Sequence, residues 1–278
     1  MAQFDLKDKV TIITGGGTGL GKSMALALAR AGSDIVVAAR RVGPIEEAAK
    51  EVRDLGRKAL AISTDVTDSG QVNRLVEQTL SEMGRVDILI NNAGIVRGQQ
   101  MKPMWEITDE EWHLGIDVNL SGAFYCCRAV GKYFTERQSG KVINVASGEG
   151  YRGVRDNFMY TCAKGGVLQL TRTLAITWAP YNIQVNCIVP GFVDTMTLQP
   201  EEIRRAMEER RAGGFGRVFI PVGRLGVPED ISSLALFLAS DASDYITGGA
   251  FVADGGGLAG GCATTGYAPV ITMKEGMA

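Results

Sequence analysis

Short apolar runs alternate along this chain with longer segments in which apolar residues recur every three or four positions. Most of the short runs are unbroken and rich in β-branched residues, which is typical of strands covered on both faces. They predict strands at residues 10–14, 34–39, 58–63, 86–90, 141–146, 183–189 and 250–253. The longer segments predict helices at residues 20–31, 45–55, 69–83, 109–138, 159–178 and 229–239.

This alternation predicts the fold class. Strands and helices that follow one another in this way form βαβ units, which build a parallel sheet with helices on both faces. We therefore expect a doubly wound, seven-stranded α/β domain of the Rossmann type. No linker divides residues 1–257, so we interpret them as one domain. Two segments depart from the pattern: a charged insertion at 195–224, interpreted as a lid over the substrate, and a glycine- and threonine-rich tail at 258–278.

Charge and composition exclude several classes of function. The chain has 278 residues and a formal net charge of −2, so no basic surface for nucleic acid is expected. It has neither an apolar run that could span a membrane nor a secretory signal, which favours a cytoplasmic protein without membrane contact. Five cysteines without a CxxC pair and a single histidine, His113, favour neither a disulfide framework, nor a metal site, nor a Ser-His-Asp hydrolase.

A glycine-rich turn, "TGGGTGLG", joins the first predicted strand to the first predicted helix. Gly15 allows the tight turn, Gly19 lets the backbone approach a pyrophosphate, and Gly21 allows close packing of the helix. The amides at the start of the helix then face the anion, and the helix dipole favours it. The hydroxyl of Thr18 can add a contact to the phosphate. The turn therefore predicts a dinucleotide site.

The end of the second predicted strand indicates which dinucleotide is bound. NAD sites usually place an acidic residue there for the ribose 2′-hydroxyl, but this chain has Ala39, followed by Arg40 and Arg41. A guanidinium can hold a 2′-phosphate through forked hydrogen bonds, whereas a carboxylate would repel it. NADP(H) is therefore favoured over NAD(H). The alternative interpretation is that both arginines are simply solvated.

The segment "YTCAK" places Tyr160 and Lys164 four positions apart, so on a helix their side chains share one face. A cation about 4 Å from a phenolate, at an effective dielectric near 20, stabilises it by roughly 4 kcal/mol. That energy corresponds to about three pKa units before desolvation is counted. We therefore expect Lys164 to lower the pKa of Tyr160 from about 10 toward neutrality, where a group can both give and take a proton.

The motifs "TGGGTGLG", "TDV", "NNAG", "DVN", "NVAS", "YTCAK" and "PGFVDT" occur in this order between about residues 6 and 257. In number and order they resemble the short-chain dehydrogenase/reductase family. The resemblance implies an NAD(P)-dependent oxidoreductase that transfers a hydride between the nicotinamide and a secondary alcohol or ketone. It also implies a catalytic tetrad of Asn119, Ser147, Tyr160 and Lys164, with Tyr160 as the acid/base.

Further roles follow from the resemblance. Ser147 would stabilise the substrate oxygen, Lys164 would also hold the nicotinamide ribose, and Asn119 would interrupt its helix and hold a water. Family members commonly pair the helices that correspond to 109–138 and 159–178 between subunits, so a homotetramer or homodimer is expected. The turn, the arginines and the resemblance together predict these cofactor contacts: Gly15, Thr18, Gly19, Leu20, Gly21, Arg40, Arg41, Asp65, Val66, Asn92, Ala93, Gly94, Tyr160, Lys164, Pro190, Gly191, Val193 and Thr195.

The loop between Ser147 and Tyr160 reads "GEGYRGVRDNFM" and is strongly polar, unlike the border of a steroid pocket. It favours a small polar substrate such as a hydroxy acid or sugar derivative, with Arg152 or Arg155 near a carboxylate. The predicted substrate contacts are Ser147, Glu149, Arg152, Arg155 and Tyr160. The alternative interpretation is a loop that faces solvent or another subunit.

Two other functions stay open. One is the reduction of a 3-oxoacyl chain on a carrier protein or coenzyme A, although Thr18 stands where many such reductases carry a basic residue. The other is a non-catalytic nucleotide-binding or regulatory protein, because the fold alone does not decide function. The presence of all four residue types of the tetrad argues against this last class.

Overall fold

The computed structural model describes residues 4–95, 103–195 and 220–259. Seven parallel strands form one sheet in the order β3-β2-β1-β4-β5-β6-β7. The strands are β1 Val10–Thr14, β2 Asp34–Ala39, β3 Ala59–Ser63, β4 Ile88–Asn91, β5 Gly140–Val145, β6 Ile183–Pro190 and β7 Ala250–Ala253. The strand order reverses between β1 and β4, and such a switch point is where open α/β sheets bind ligands.

Helices cover both faces of the sheet. They are α1 Gly19–Arg30, α2 Val42–Asp54, α3 Ser69–Met83, α4 Asp109–Ile116, α5 Gly122–Arg137, α6 Phe158–Trp178 and α7 Pro228–Ala239. One apolar cluster packs α1, α2 and α7 on one face, and a second packs α3, α5 and α6 on the other. Because both faces are covered, the strands are mostly apolar, and buried polar residues such as Asn144 and Asn186 are exceptions. The predicted single-domain, doubly wound sheet is confirmed.

One predicted helix is divided. Residues 109–137 are helical throughout, as α4, a π-helical turn at Asp117–Ser121 and α5, which agrees with the predicted helix and with its expected interruption at Asn119. Asn119 explains the break, because its side-chain Nδ2 donates to the carbonyl of Gly115 at 2.9 Å. In an α-helix that carbonyl would accept from the backbone N–H of Asn119. The local interruption that the family resemblance implies at Asn119 is therefore present.

Parts of the chain named above lie outside the described residues. The predicted lid is described only at Thr195 and at 220–224, and the tail only at 258–259. Leu258 donates its backbone N–H to Asp254 Oδ2 at 2.6 Å and packs near Gly148. Among the helices that the structure describes, none is long and apolar enough to cross a lipid bilayer.

A buried carboxylate, Asp87, ties the start of β1 to the start of β4 and the end of α5. Its Oδ2 accepts from the Val10 amide at 2.9 Å and from Arg85 Nε at 2.7 Å. Its Oδ1 accepts from Arg85 Nη2 at 2.7 Å and from Arg137 Nη2 at 3.1 Å. Burial raises the pKa of Asp87, but these hydrogen bonds more than offset it and leave the pKa below its usual value. Asp87 therefore stabilises the sheet as an anion.

We predict that Asp87→Asn lowers the free energy of unfolding at pH 7 by about 2 kcal/mol, because two guanidinium groups lose their partner. Since the folded-state pKa is depressed, this stabilisation is complete above the unfolded-state pKa of about 3.9 and is lost as the pH falls further. Denaturant unfolding of the native protein and of the variant at several pH values measures the difference in the free energy of unfolding. Asp54→Asn, at an exposed pair with Lys50, is the control and should change stability little. Equal effects of the two variants would contradict the role of Asp87.

Candidate active site

The glycine-rich turn lies at the switch point, between β1 and α1. Gly15 and Gly19 have φ angles of +65° and +55°, left-handed values that favour glycine. A Cβ on Gly21 would stand 2.2 Å from the carbonyl oxygen of Gly15, so α1 approaches the turn only because this side chain is absent. The backbone amides at the start of α1 have no partner within the helix and suit an anion such as phosphate.

The end of β4 holds this turn in place. Asn92 Nδ2 donates to the carbonyl oxygens of Thr14 and Gly15 at 3.1 and 3.2 Å. The hydroxyl of Thr14 accepts from the backbone amides of Asn92 and Ala93, both at 3.1 Å. Thr14 is absent from the predicted site residues, although a threonine at the end of the strand, directly before the glycine-rich turn, was a signal in the sequence.

A cleft of about 570 Å³ opens beside the turn, a size within the usual range of ligand pockets. Residues that sequence reasoning missed also line it, among them Pro44, Thr64, Ile95 and Val118. Arg40 and Arg41 are exposed there, and no ion pair of either side chain occurs within the described part of the chain. The predicted cofactor contacts that line the cleft are Gly15, Thr18, Leu20, Arg40, Arg41, Asp65, Val66, Asn92, Ala93 and Gly94.

The other predicted cofactor contacts lie beyond the walls of this cleft. The segment after β6 is held by the Gly191 amide, which donates to the carbonyl of Ala253 at 3.0 Å, and by a β-bridge between Val193 and Gly226. It then returns to the phosphate turn, where Thr195 Cγ2 would lie 3.7 Å from a Cβ on Gly19. The residues outside the cleft walls are Gly19, Gly21, Tyr160, Lys164, Pro190, Gly191, Val193 and Thr195.

The four side chains of the implied tetrad converge. The Ser147 hydroxyl, just after β5, lies close enough to the Tyr160 phenol to act on its pKa, and Lys164 Nζ lies 5.6 Å from the centre of the Tyr160 ring. A Cβ on Gly94 would stand 2.9 Å from Asn119 Oδ1 and 3.4 Å from Lys164 Nζ. Any residue larger than glycine at position 94 would therefore push Asn119 or Lys164 out of place.

Asn119 is held on both sides of its amide. Its Oδ1 accepts from the Ile95 N–H at 3.1 Å, and its Nδ2 donates to the carbonyls of Ile95 and Gly115 at 3.2 and 2.9 Å. These bonds join the π-helical turn to Ile95, in the segment that follows β4. The water implied for Asn119 stays a prediction.

The spacing of Tyr160 and Lys164 predicts a lowered pKa for the phenol, and this prediction is wrong. Burial raises the pKa of Tyr160 to about 12; the hydrogen bond with Ser147 opposes the rise, and the charge of Glu149 adds to it. Burial also lowers the pKa of Lys164 to about 8, and its Nζ donates to the carbonyl of Val145 at 2.9 Å. A buried amine that is easily neutralised and engaged elsewhere adds little stabilisation to a phenolate.

The predicted polar residues of the loop between Ser147 and Tyr160 lie in different environments. The Glu149 amide donates to Ser147 Oγ at 3.2 Å, and the Glu149 carboxylate lies within electrostatic reach of Tyr160 and Arg152. Arg152 Nε is buried without a hydrogen-bond partner in the described structure. The Arg155 side chain, in contrast, is 68% exposed and pairs with Asp156 at 3.2 Å. No group of three His, Cys, Asp or Glu side chains that could hold a metal ion occurs among the described residues.

Comparison with known proteins agrees with this geometry. The family model described as short chain dehydrogenase matches residues 9–206. The 2-dehydro-3-deoxy-D-gluconate 5-dehydrogenase of Escherichia coli is 38% identical over 260 residues, which cover 93% of this chain and 99% of the relative. The 3-oxoacyl-(acyl carrier protein) reductase of Thermotoga maritima is 36% identical over 253 residues, with coverages of 90% and 98%.

A solved structure shows the same likeness in three dimensions. It comes from Beutenbergia cavernae and is described as an NAD(P)-dependent gluconate 5-dehydrogenase with NADP bound at low occupancy. It superposes with a TM-score of 0.81 at 35% identity, and the match covers 92% of this chain and 99% of that one. The chain therefore belongs to the short-chain dehydrogenase family, whose members are oxidoreductases that use a nicotinamide cofactor.

Proposed function

We propose that this chain is an NADP(H)-dependent oxidoreductase that interconverts a secondary alcohol and a ketone in a polar substrate, such as a hydroxy acid or sugar derivative. The convergence of Ser147, Tyr160 and Lys164 beside the glycine-lined cleft carries this proposal. The Escherichia coli relative, named for a dehydrogenase acting on a deoxygluconate, supports a sugar-acid type of substrate.

The cleft fits a dinucleotide. The left-handed glycines and the free amides of α1 offer room and partial positive charge to a pyrophosphate. Arg40 and Arg41 offer two guanidinium groups to a 2′-phosphate, and the bound NADP of the Beutenbergia structure supports this preference. Asp65 and Val66 would border the adenine, and Lys164 would hold the ribose next to the nicotinamide. When bound, the cofactor supplies or accepts the hydride, and its oxidised ring carries a positive charge that favours a phenolate nearby.

Tyr160 would move the proton. With a pKa of about 12 the phenol is protonated at neutral pH, so it can donate to the carbonyl oxygen as a ketone is reduced. Ser147 would hydrogen-bond the same oxygen and stabilise its developing charge. Lys164, with a pKa of about 8, holds a proton that can replace the one Tyr160 gives up, by way of the water implied at Asn119.

A second candidate is the reduction of a 3-oxoacyl thioester, which the Thermotoga maritima relative favours. We rank it lower because the charged side chains of Glu149 and Arg152 line the loop beside Tyr160, where an acyl chain would meet them. A non-catalytic role ranks lowest, since Gly94 leaves room for Asn119 and Lys164 beside Tyr160.

We predict that Tyr160→Phe lowers kcat by about a thousandfold, because it removes the proton donor without changing the ring. NADPH oxidation is followed with sugar-derived and hydroxy-acid-derived ketones and with an acetoacetyl thioester. NADPH binding, measured by fluorescence, should persist in the variant. The control is Tyr181→Phe, which alters a phenol that is 40% exposed at the far end of α6. Tight NADPH binding by the native protein without turnover of any ketone would favour the non-catalytic role.

We also predict that Arg40→Ala and Arg41→Ala each lower kcat/KM for NADPH by about ten- to a hundredfold, the worth of a charged hydrogen bond. In both variants kcat/KM for NADH should stay within about twofold of its native value, because NADH has no 2′-phosphate for a guanidinium to bind. Arg74→Ala removes an exposed guanidinium on α3 and serves as the control. Equal losses with NADPH and NADH would contradict the assignment of the arginines to the 2′-phosphate.

We infer that α5 and α6 pair between subunits in a homodimer or homotetramer. Both helices expose apolar side chains, with Phe124 44% and Ile176 79% exposed. We predict that light scattering finds an oligomer and that Ile176→Asp shifts it toward smaller species, since it places a charge in the contact. Leu55→Asp, at the end of α2, should leave the mass unchanged. A native monomer would contradict the pairing.

A further inference from the structure

We infer that Glu149 selects substrates that carry a hydrogen-bond donor, in particular a hydroxyl group, on the carbon next to the reacting carbon. The same carboxylate disfavours substrates in which a carboxylate is bonded directly to the reacting carbon, as in a 2-oxo acid. This inference rests on the proposed oxidoreductase function and specifies the chemical group beside the carbonyl.

The position of Glu149 follows from a short helical turn of three residues, Gly148–Gly150, that comes directly after Ser147. The Glu149 amide donates to Ser147 Oγ at 3.2 Å, so the residue is bound to the hydroxyl proposed to contact the substrate oxygen. The turn also lies against α6, because a Cβ on Gly150 would stand 2.8 Å from the carbonyl oxygen of Lys164. Glu149 is therefore placed on rigid backbone between two members of the tetrad.

Asn157 orients the carboxylate. Its Nδ2 donates to Glu149 Oε2 at 2.8 Å across the base of the loop, from the residue that precedes α6. Within the described structure no other group donates a hydrogen bond to this carboxylate, and neither of its oxygens is buried without a partner. Oε1 is thus available to accept a hydrogen bond from a ligand.

Charge makes this acceptor selective. Burial raises the pKa of Glu149, while the nearby Arg152 guanidinium and the Asn157 amide oppose the rise. The charge of Glu149 in turn reaches the Tyr160 phenol, which is proposed to contact the reacting oxygen. A hydroxyl beside the carbonyl can donate a hydrogen bond to the Glu149 carboxylate. An alkyl group there would leave the Glu149 carboxylate desolvated without a partner, and a substrate carboxylate would be repelled.

Three methyl ketones of similar size test the inference: hydroxyacetone, butan-2-one and pyruvate, each reduced with NADPH. For the native enzyme we expect kcat/KM to be at least about tenfold higher for hydroxyacetone than for butan-2-one, and lowest for pyruvate. Glu149→Leu should abolish the advantage of hydroxyacetone. Glu149→Gln keeps an oxygen acceptor but removes the charge. This variant should therefore raise kcat/KM for pyruvate about tenfold relative to kcat/KM for butan-2-one.

Asp156→Asn provides a matched control. It removes one carboxylate charge from the same loop, and its left-handed φ of +58° is one that asparagine adopts readily. Because the side chains that act on the pKa of Tyr160 are those of Ser147 and Glu149, the ratios between the three ketones should stay at their native values in this variant. Ratios that change equally in Asp156→Asn and Glu149→Gln would overturn the inference, as would unchanged ratios in both Glu149 variants.

A second measurement separates direct action of Glu149 from a merely structural role. The groups that face Tyr160 are Ser147 and Glu149 from the loop and Lys164 from α6. Since the Glu149 charge raises the pKa of Tyr160, Glu149→Gln should move the pH limb governed by Tyr160 to lower pH. An unmoved limb would contradict direct action of the carboxylate.

Failure of the proposed function would look different. If the native protein reduced no ketone, the proposed function would be overturned. Binding of hydroxyacetone and butan-2-one to the NADPH complex, followed by the cofactor's fluorescence, would then still decide the role of Glu149. Tighter binding of hydroxyacetone that is lost in Glu149→Leu would support it, and equal binding of both ketones would overturn it.

Discussion

The site depends on a close approach of backbones at the carboxyl ends of β1 and β4. A Cβ on Gly15 would stand 2.9 Å from the Cα of Ala93, and one on Gly94 would meet Asn119 Oδ1 at the same distance. The phosphate turn and the tetrad therefore share a single strand end, with the turn on one side and the tetrad on the other. A side chain at either glycine would separate them, and no change in the surrounding loops could compensate, because the sheet behind is packed on both faces.

The parts of the structure that follow from local rules could be predicted from the sequence. A strand buried on both faces is mostly apolar, and a backbone that closely approaches a phosphate favours glycine, so both leave a visible pattern in the sequence. The π-helical turn at Asp117–Ser121, between α4 and α5, leaves no such pattern. It arises because the Asn119 side chain takes the Gly115 carbonyl, and periodicity cannot show a competition of that kind. Only the family resemblance indicated it.

The pKa values show a second limit of sequence reasoning. The spacing of Tyr160 and Lys164 places both on one face of α6, but it gives neither their burial nor their partners. Both groups are shifted toward their neutral forms, Tyr160 to about 12 and Lys164 to about 8, because burial outweighs their attraction. The proton is therefore held on the phenol at neutral pH. This protonation state suits the proton donation that we propose for Tyr160 in the reduction of a ketone.

The same scaffold serves relatives that are named for different reactions, at 38% and 36% identity to this chain, so overall likeness cannot decide the substrate. The decision must come from the few side chains beside Tyr160. In this chain Arg155 pairs with Asp156 and Arg152 lies beside Glu149, so the loop carries little net charge toward a ligand. Recognition would then depend on individual groups, through the hydrogen bond and the local charge that each presents, rather than on a net charge of the loop. Glu149 is the residue best placed to make one, because Asn157 and the Ser147 hydroxyl hold it from both ends of the loop.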